Sequence, residues 1–274
     1  DYAMRYGNPS IKSRLDKQCD TDRSSDNDFL YIDKKSNYGY IQRKLDSVYY
    51  SFRLHKNKEL SNKAWNKTQK MQILIYQYLP YDSIVLEING NLGSLSILVN
   101  LLIKNPNYHF VTEMDEDKYK LLKKNKEKNN LSFKPFHGAI SNKRVIYKYG
   151  FYGTFSSKEI GNDEVAPEDW IETNTITYLE ANEKCISVSG RDINTLILKE
   201  TDSFLMNLIK NNENFINKIK VIIIEYNIFL LQQKELEDFL KEKGYIKIAC
   251  FCEKGKEEFY NKKCHYAIWK YKLE

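Results

Sequence analysis

The sequence predicts an α/β fold, a mostly parallel sheet with helices on both faces. Three observations predict it. Ile84, Val85, Leu86 and Ile88 form a short apolar run, the pattern of a strand buried on both faces. Asn89, Gly90, Asn91 and Gly93 follow at once, residues that tolerate positive φ and close backbone approach. Leu95, Leu98, Val99 and Leu102 then stand at i, i+3, i+4 and i+7, so a helix begins near Gly93. Strand, glycine turn and helix open a nucleotide-binding βαβ unit.

The other elements are read around that unit. Residues 1–65 form a polar, tyrosine-rich extension: Asp, Ser, Lys and Asn crowd the stretch from Asp16 to Asp28, and Tyr31, Tyr38, Tyr40, Tyr49 and Tyr50 follow. Residues 66–274 form the α/β domain. Met71, Leu74, Ile75, Tyr78 and Leu79 mark an amphipathic helix that Pro80 ends. The second strand, 109–113, ends in Glu113, and in such folds that carboxylate accepts hydrogen bonds from ribose hydroxyls. Residues 118–129 read as a charged helix with Tyr119 and Leu122 inward, and 132–137 as a third strand.

Residues 141–172 are the least regular. Within them 145–149 alternates like a strand, while Phe151, Tyr152, Gly153, Phe155 and Trp170 put aromatics into a polar loop. Such a loop either covers a substrate or simply anchors itself. The fourth strand is read at 193–198, with the switch point of the sheet between it and the Ile84 strand. A helix over 203–212 turns Phe204, Leu205, Leu208 and Ile209 inward, and 221–225 is another buried strand. Leu236, Phe239 and Leu240 mark a helix closed at Gly244, and 245–251 with 265–271 read as a closing antiparallel hairpin.

Four stretches, V-L-E-I-N-G-N-L-G (85–93), V-T-E-M-D (111–115), H-G-A-I-S (137–141) and T-N-T-I-T-Y-L (173–179), resemble the FkbM-type branch of the class I methyltransferases, over residues 70–274. The resemblance implies a Rossmann-like, seven-stranded, mostly parallel sheet with helices on both faces and a C-terminal antiparallel hairpin. It implies S-adenosyl-L-methionine as the cofactor. Glu87 would anchor the ammonium of its methionine part, and the backbone around Asn89, Gly90, Asn91 and Gly93 would approach that part. Glu113, with Met114 after it, would hold the ribose, and His137, Gly138 and Ala139 would contact adenine. A carboxylate inside an apolar strand, as at Glu87, costs several kcal/mol unless it is paired.

The catalytic side departs from the family pattern. Members usually carry Asp-x-Glu-Gly after the fourth strand. Here the stretch reads Lys199-Glu200-Thr201-Asp202, and position 89, usually Gly, is Asn. Either a divergent enzyme uses Lys199, Glu200, Asp202 or Glu225, or catalysis has been lost. Lys199 as a general base would need a pKa depressed by burial; the other reading is a salt-bridged structural lysine. A divalent metal is compatible with the chemistry, but no residue is assigned as its ligand.

Totals bound the rest. The chain has 274 residues and no run of 18 apolar ones, so no membrane span is expected, and no basic and apolar leader is read at Asp1. A net charge of +6 is either a solvated lysine surface or a face for RNA or an anionic glycan. Five cysteines, an odd count in a large chain, argue against a disulfide framework and for a reducing compartment. A cytoplasmic setting is expected, a host's cytoplasm if the source is viral. Cys250, Cys252, Cys264 and His265 imitate a zinc site, but a strand pattern explains them equally well.

Three functions stay open at this point. The first is an O-methyltransferase acting on a sugar, a glycan or a small hydroxyl acceptor. The second is a non-catalytic methyltransferase-like binding or scaffold domain. The third is an RNA enzyme such as a cap 2′-O-methyltransferase.

Overall fold

The computed structural model describes residues 69–149, 155–201, 203–226, 230–252 and 264–272. The expected extension, Phe151, Tyr152, Gly153 and Asp202 lie outside the described residues. The chain runs α1 (Gln69–Tyr78), β1 (Val85–Ile88), α2 (Ser94–Leu102), β2 (His109–Glu113), α3 (Glu116–Lys128) and β3 (Lys134–His137). Then come β4 (Ala139–Ile140), β5 (Arg144–Tyr149), β6 (Phe155–Ile160), β7 (Ile171–Thr173), β8 (Thr175–Ile176) and α4 (Tyr178–Ser189). It ends with β9 (Thr195–Thr201), α5 (Ser203–Asn211), α6 (Glu213–Ile216), β10 (Val221–Tyr226), α7 (Leu230–Glu242), β11 (Tyr245–Cys252) and β12 (Cys264–Tyr271).

Seven of these strands form one sheet in the order β11-β12-β10-β9-β1-β2-β3. Strands β3, β2, β1, β9 and β10 pair in parallel, and β12 runs antiparallel to both β10 and β11. This is the Rossmann-like fold expected from the sequence, a mostly parallel seven-stranded sheet with its closing antiparallel hairpin. From β1 the chain steps outward to β2 and β3, then returns to place β9 on the other side of β1. The crevice where strand order reverses therefore opens at the carboxyl ends of β1 and β9, where open α/β sheets bind ligands.

Alternation along the strands builds two core layers. Val85, Ile197, Ile223 and Ile268 face one way, onto Met71, Leu74 and Ile75 of α1 and Leu98 and Val99 of α2. Leu86, Ile88, Leu196, Leu198, Ile222 and Ile224 face the other way, onto Leu205 and Ile209 of α5 and Leu236 and Leu240 of α7. Each such aliphatic side chain contributes about 1.5–3 kcal/mol on burial. No described helix is long and apolar enough to cross a membrane.

Four differences from the sequence reading bear on function. First, β9 extends to Thr201, so Lys199, Glu200 and Thr201 lie within the strand rather than in a loop after it. The register against β10 shifts between Ile224 and Tyr226, and that irregularity lets Thr201 still pair with Tyr226. Second, α3 starts at Glu116, because the Asp115 side chain caps it by accepting from Lys118 N at 2.7 Å. Third, the stretch leading to the fourth strand contains α4, opened by a capping box in which Thr177 and Glu180 bond reciprocally. Fourth, the irregular region carries a three-stranded antiparallel sheet, β6-β5-β7. Arg144 pins that sheet with a two-pronged bond to Glu172 (2.8 and 2.7 Å), and the Trp170 ring lies beneath the amines of Lys148 and Lys158 at 4.9 and 5.0 Å.

Candidate functional site

The turn after β1 is built from two residue types. Asn89 and Asn91 take left-handed φ values of 64° and 55°, and Gly93, at φ 90°, caps α2. Asn89 thus meets the conformational demand that glycine usually meets. Its side chain adds a bond that glycine lacks, Nδ2 donating to the Lys199 carbonyl of β9 at 2.9 Å. Gly90 is required for packing: a Cβ there would stand 2.3 Å from Val111 Cγ1, and Gly90 N donates to Thr112 O of β2 at 2.7 Å. The turn is therefore tied to a strand on each side of β1.

Glu113 closes β2 beneath this turn. It is 4% exposed, and its two carboxylate oxygens accept from Asn91 N at 2.6 Å and Asp115 N at 2.9 Å. Burial raises its pKa above the ordinary value; the Asp115 N–H, the Lys118 charge, the Asn91 N–H and the Lys199 charge pull the other way. A carboxylate oxygen has a second lone pair, so each can also accept from a ligand hydroxyl.

The β5 strand adds two tyrosines that the sequence reading missed. Tyr149, 45% exposed, donates its hydroxyl to Asp115 Oδ2, and the Lys118 amine sits 5.2 Å from its ring centre. Tyr147 is buried beside it, edge-on at 6.1 Å, and its hydroxyl pKa is pushed up to about 12, by burial first and then by the Asp115 and Glu113 charges. Only the alternation of β5 and the acid at 115 hinted at this contact.

The remaining candidates divide. Met114 is buried, and its carbonyl accepts from His137 Nε2 and Thr173 Oγ1, each at 3.1 Å. His137 also stacks on Tyr119, with ring centres 5.1 Å apart. The N–H groups of Gly138 and Ala139 donate to Glu113 O (2.8 Å) and Asn174 O (2.9 Å), and a Cβ at Gly138 would stand 2.3 Å from that same Asn174 oxygen. Lys199 reaches the turn from β9, its amine donating to Gly90 O at 3.0 Å. Glu87 turns away from the turn. It meets His109 Nε2 at 3.0 Å, with both side chains fully buried, and the His109 ring lies 5.6 Å from that of Phe133. Glu225 is nearly buried at the end of β10, and Glu200 lies in β9 beside Lys199. Among the described residues no group of three or more His, Cys, Asp or Glu side chains is arranged to hold a metal ion.

A cleft of about 550 Å³ lies between β6 and α5. Asn142, Asn207, Asn211 and Asn212 line it together with the charged Lys143, Lys158 and Glu159.

No family model matches this chain, and no curated protein matches it. Among solved structures it is similar to a precorrin-6y C5,15-methyltransferase from Geobacter metallireducens GS-15, at 15% identity over 81% of this chain and 94% of that one, with a TM-score of 0.43. It is also similar to a ribosomal protein methylase from Lactobacillus delbrueckii subsp. bulgaricus, at 12% identity over 75% of this chain and 79% of that one, with a TM-score of 0.43.

Proposed function

We propose that this chain is an S-adenosylmethionine-dependent O-methyltransferase whose acceptor is a sugar or glycan hydroxyl. The observation that carries the cofactor is Glu113: a buried carboxylate at the carboxyl edge of the sheet, held by two backbone N–H groups, beside a turn with two left-handed asparagines. That arrangement suits a ribose diol. When bound, the cofactor supplies a methyl group on a positively charged sulfur, a strong electrophile.

The chain's own residues then bind, orient and take up a proton. Glu113 holds the diol, the 89–93 backbone lies along the amino-acid end, and Met114 and His137 flank the base. Glu225 accepts the proton of the acceptor hydroxyl. Glu87 braces β1 against β2 through His109. The cleft beside α5, where four asparagines stand with Lys143, Lys158 and Glu159, supports a hydroxyl-rich acceptor, because its side chains together both donate and accept hydrogen bonds. The FkbM-like motifs favour the same acceptor class.

A second reading is a non-catalytic binding domain. Lys199 in place of the family's aspartate, and the internal use of the Gly138 and Ala139 N–H groups, favour it.

The test is transfer of labelled methyl from S-adenosylmethionine to methyl glycosides, oligosaccharides and capped RNA, with wild type and Glu225→Ala. The expected result is label in a sugar ether, falling about 100-fold or more in the variant. Label in capped RNA alone would replace the glycan acceptor. Normal cofactor binding with no transfer to any acceptor would favour the non-catalytic reading.

A further inference from the structure

Lys199 is 2% exposed, at the edge of the sheet where the turn after β1 meets β9. Its amine donates to Gly90 O at 3.0 Å, and among the described residues no carboxylate lies within ion-pair distance of it. The nearby carboxylate of Glu113 accepts from Asn91 N and Asp115 N and feels the Lys199 charge without an ion-pair contact. An ammonium has three N–H donors, and among the described residues Gly90 O is the acceptor that Lys199 finds. A buried ammonium served by one neutral carbonyl is costly, and is strongly stabilised when an opposite charge arrives.

The placement gives the turn a polarity. Glu113 comes from β2 and Lys199 from β9, the two neighbours of β1. The Lys199 amine reaches back over the turn to Gly90 O, close enough for its charge to act on Glu113. One side offers a buried carboxylate for a diol; the other offers a buried ammonium for an anion. We infer that Lys199 binds the α-carboxylate at the amino-acid end of S-adenosylmethionine, an inference that rests on the cofactor reading above. Lys199 is then a binding residue.

The test compares S-adenosylmethionine with its decarboxylated form, which keeps the adenosine, sulfonium and amine and lacks only the carboxylate. Calorimetric titration of the whole chain should show wild type binding the parent about 10- to 100-fold more tightly. Lys199→Met should bind both ligands alike, at the wild-type affinity for the decarboxylated one. Without ligand it should melt at or above the wild-type temperature, since the uncompensated ammonium is gone. Lys199→Gln keeps a donor for Gly90 O and drops the charge, and it should lose the discrimination in the same way. Equal binding of the two ligands by wild type, or discrimination retained in a folded Lys199 variant, overturns the inference and leaves the cofactor reading standing. Binding of neither ligand by wild type overturns both.

Discussion

At the residue scale, the turn after β1 shows an asparagine meeting a backbone demand that favours glycine. Asn89 adopts φ 64° and gains a bond to the Lys199 carbonyl. Asn enters the left-handed region far more readily than other non-glycine residues; a β-branched residue does so only with strain. Asn89→Val should therefore lose about 2–3 kcal/mol of unfolding free energy, the sum of left-handed strain and one buried hydrogen bond. Asn89→Gly should stay within about 1 kcal/mol of wild type, since it keeps the conformation and forgoes only the side-chain bond. Urea unfolding of both variants measures this, and equal losses would mean that φ is not what selects Asn. The sequence pointed to Asn89, Gly90, Asn91, Gly93 and Glu113 because turn residues and a strand-end acid carry their own signal. It could not point to Tyr149 on Asp115 or to Glu87 on His109, because those contacts join residues 34 and 22 positions apart.

At the element scale, legibility followed hydrophobic contrast. Strands β1, β2 and β10 are buried along their whole length, with an apolar run at the heart of each, and were readable from the sequence to within a residue or so. Strand β6, F-S-S-K-E-I, has too few apolar positions to stand out, although it pairs along its whole length with β5. Strand β9 was read as ending at Leu198, because Lys199-Glu200-Thr201 looks like loop; the shifted pairing with β10 carries it further. Helix α4 was missed although its start signal, T-x-x-E, stands at Thr177 and Glu180. Its inner face mixes Ala181, Asn182 and Cys185, which blurs the apolar periodicity. Thr177→Ala should cost about 1 kcal/mol, by removing the acceptor for Glu180 N and half of the box. Thermal unfolding would register it, and an unchanged melting temperature would mean that α4 does not depend on its cap.

At the scale of the whole molecule, the sheet order decides what lies where. Because the chain leaves β1 in one direction and returns on its other side, β2, β1 and β9 bring Glu113, the asparagine-glycine turn and Lys199 to one edge. That convergence was legible in outline from the alternation of strands and helices, since right-handed crossovers leave few alternatives. The small sheet β6-β5-β7 then sets Tyr147 and Tyr149 over the acidic end, which no local pattern could have shown.

The central claim is that this edge holds S-adenosylmethionine through Glu113. Calorimetric titration of wild type and Glu113→Ala with S-adenosylhomocysteine tests it most directly. Micromolar binding by wild type, weakened about 100-fold or more in a folded Glu113→Ala, is the predicted result. Absence of binding by wild type at millimolar ligand, or unchanged affinity in the variant, would contradict it.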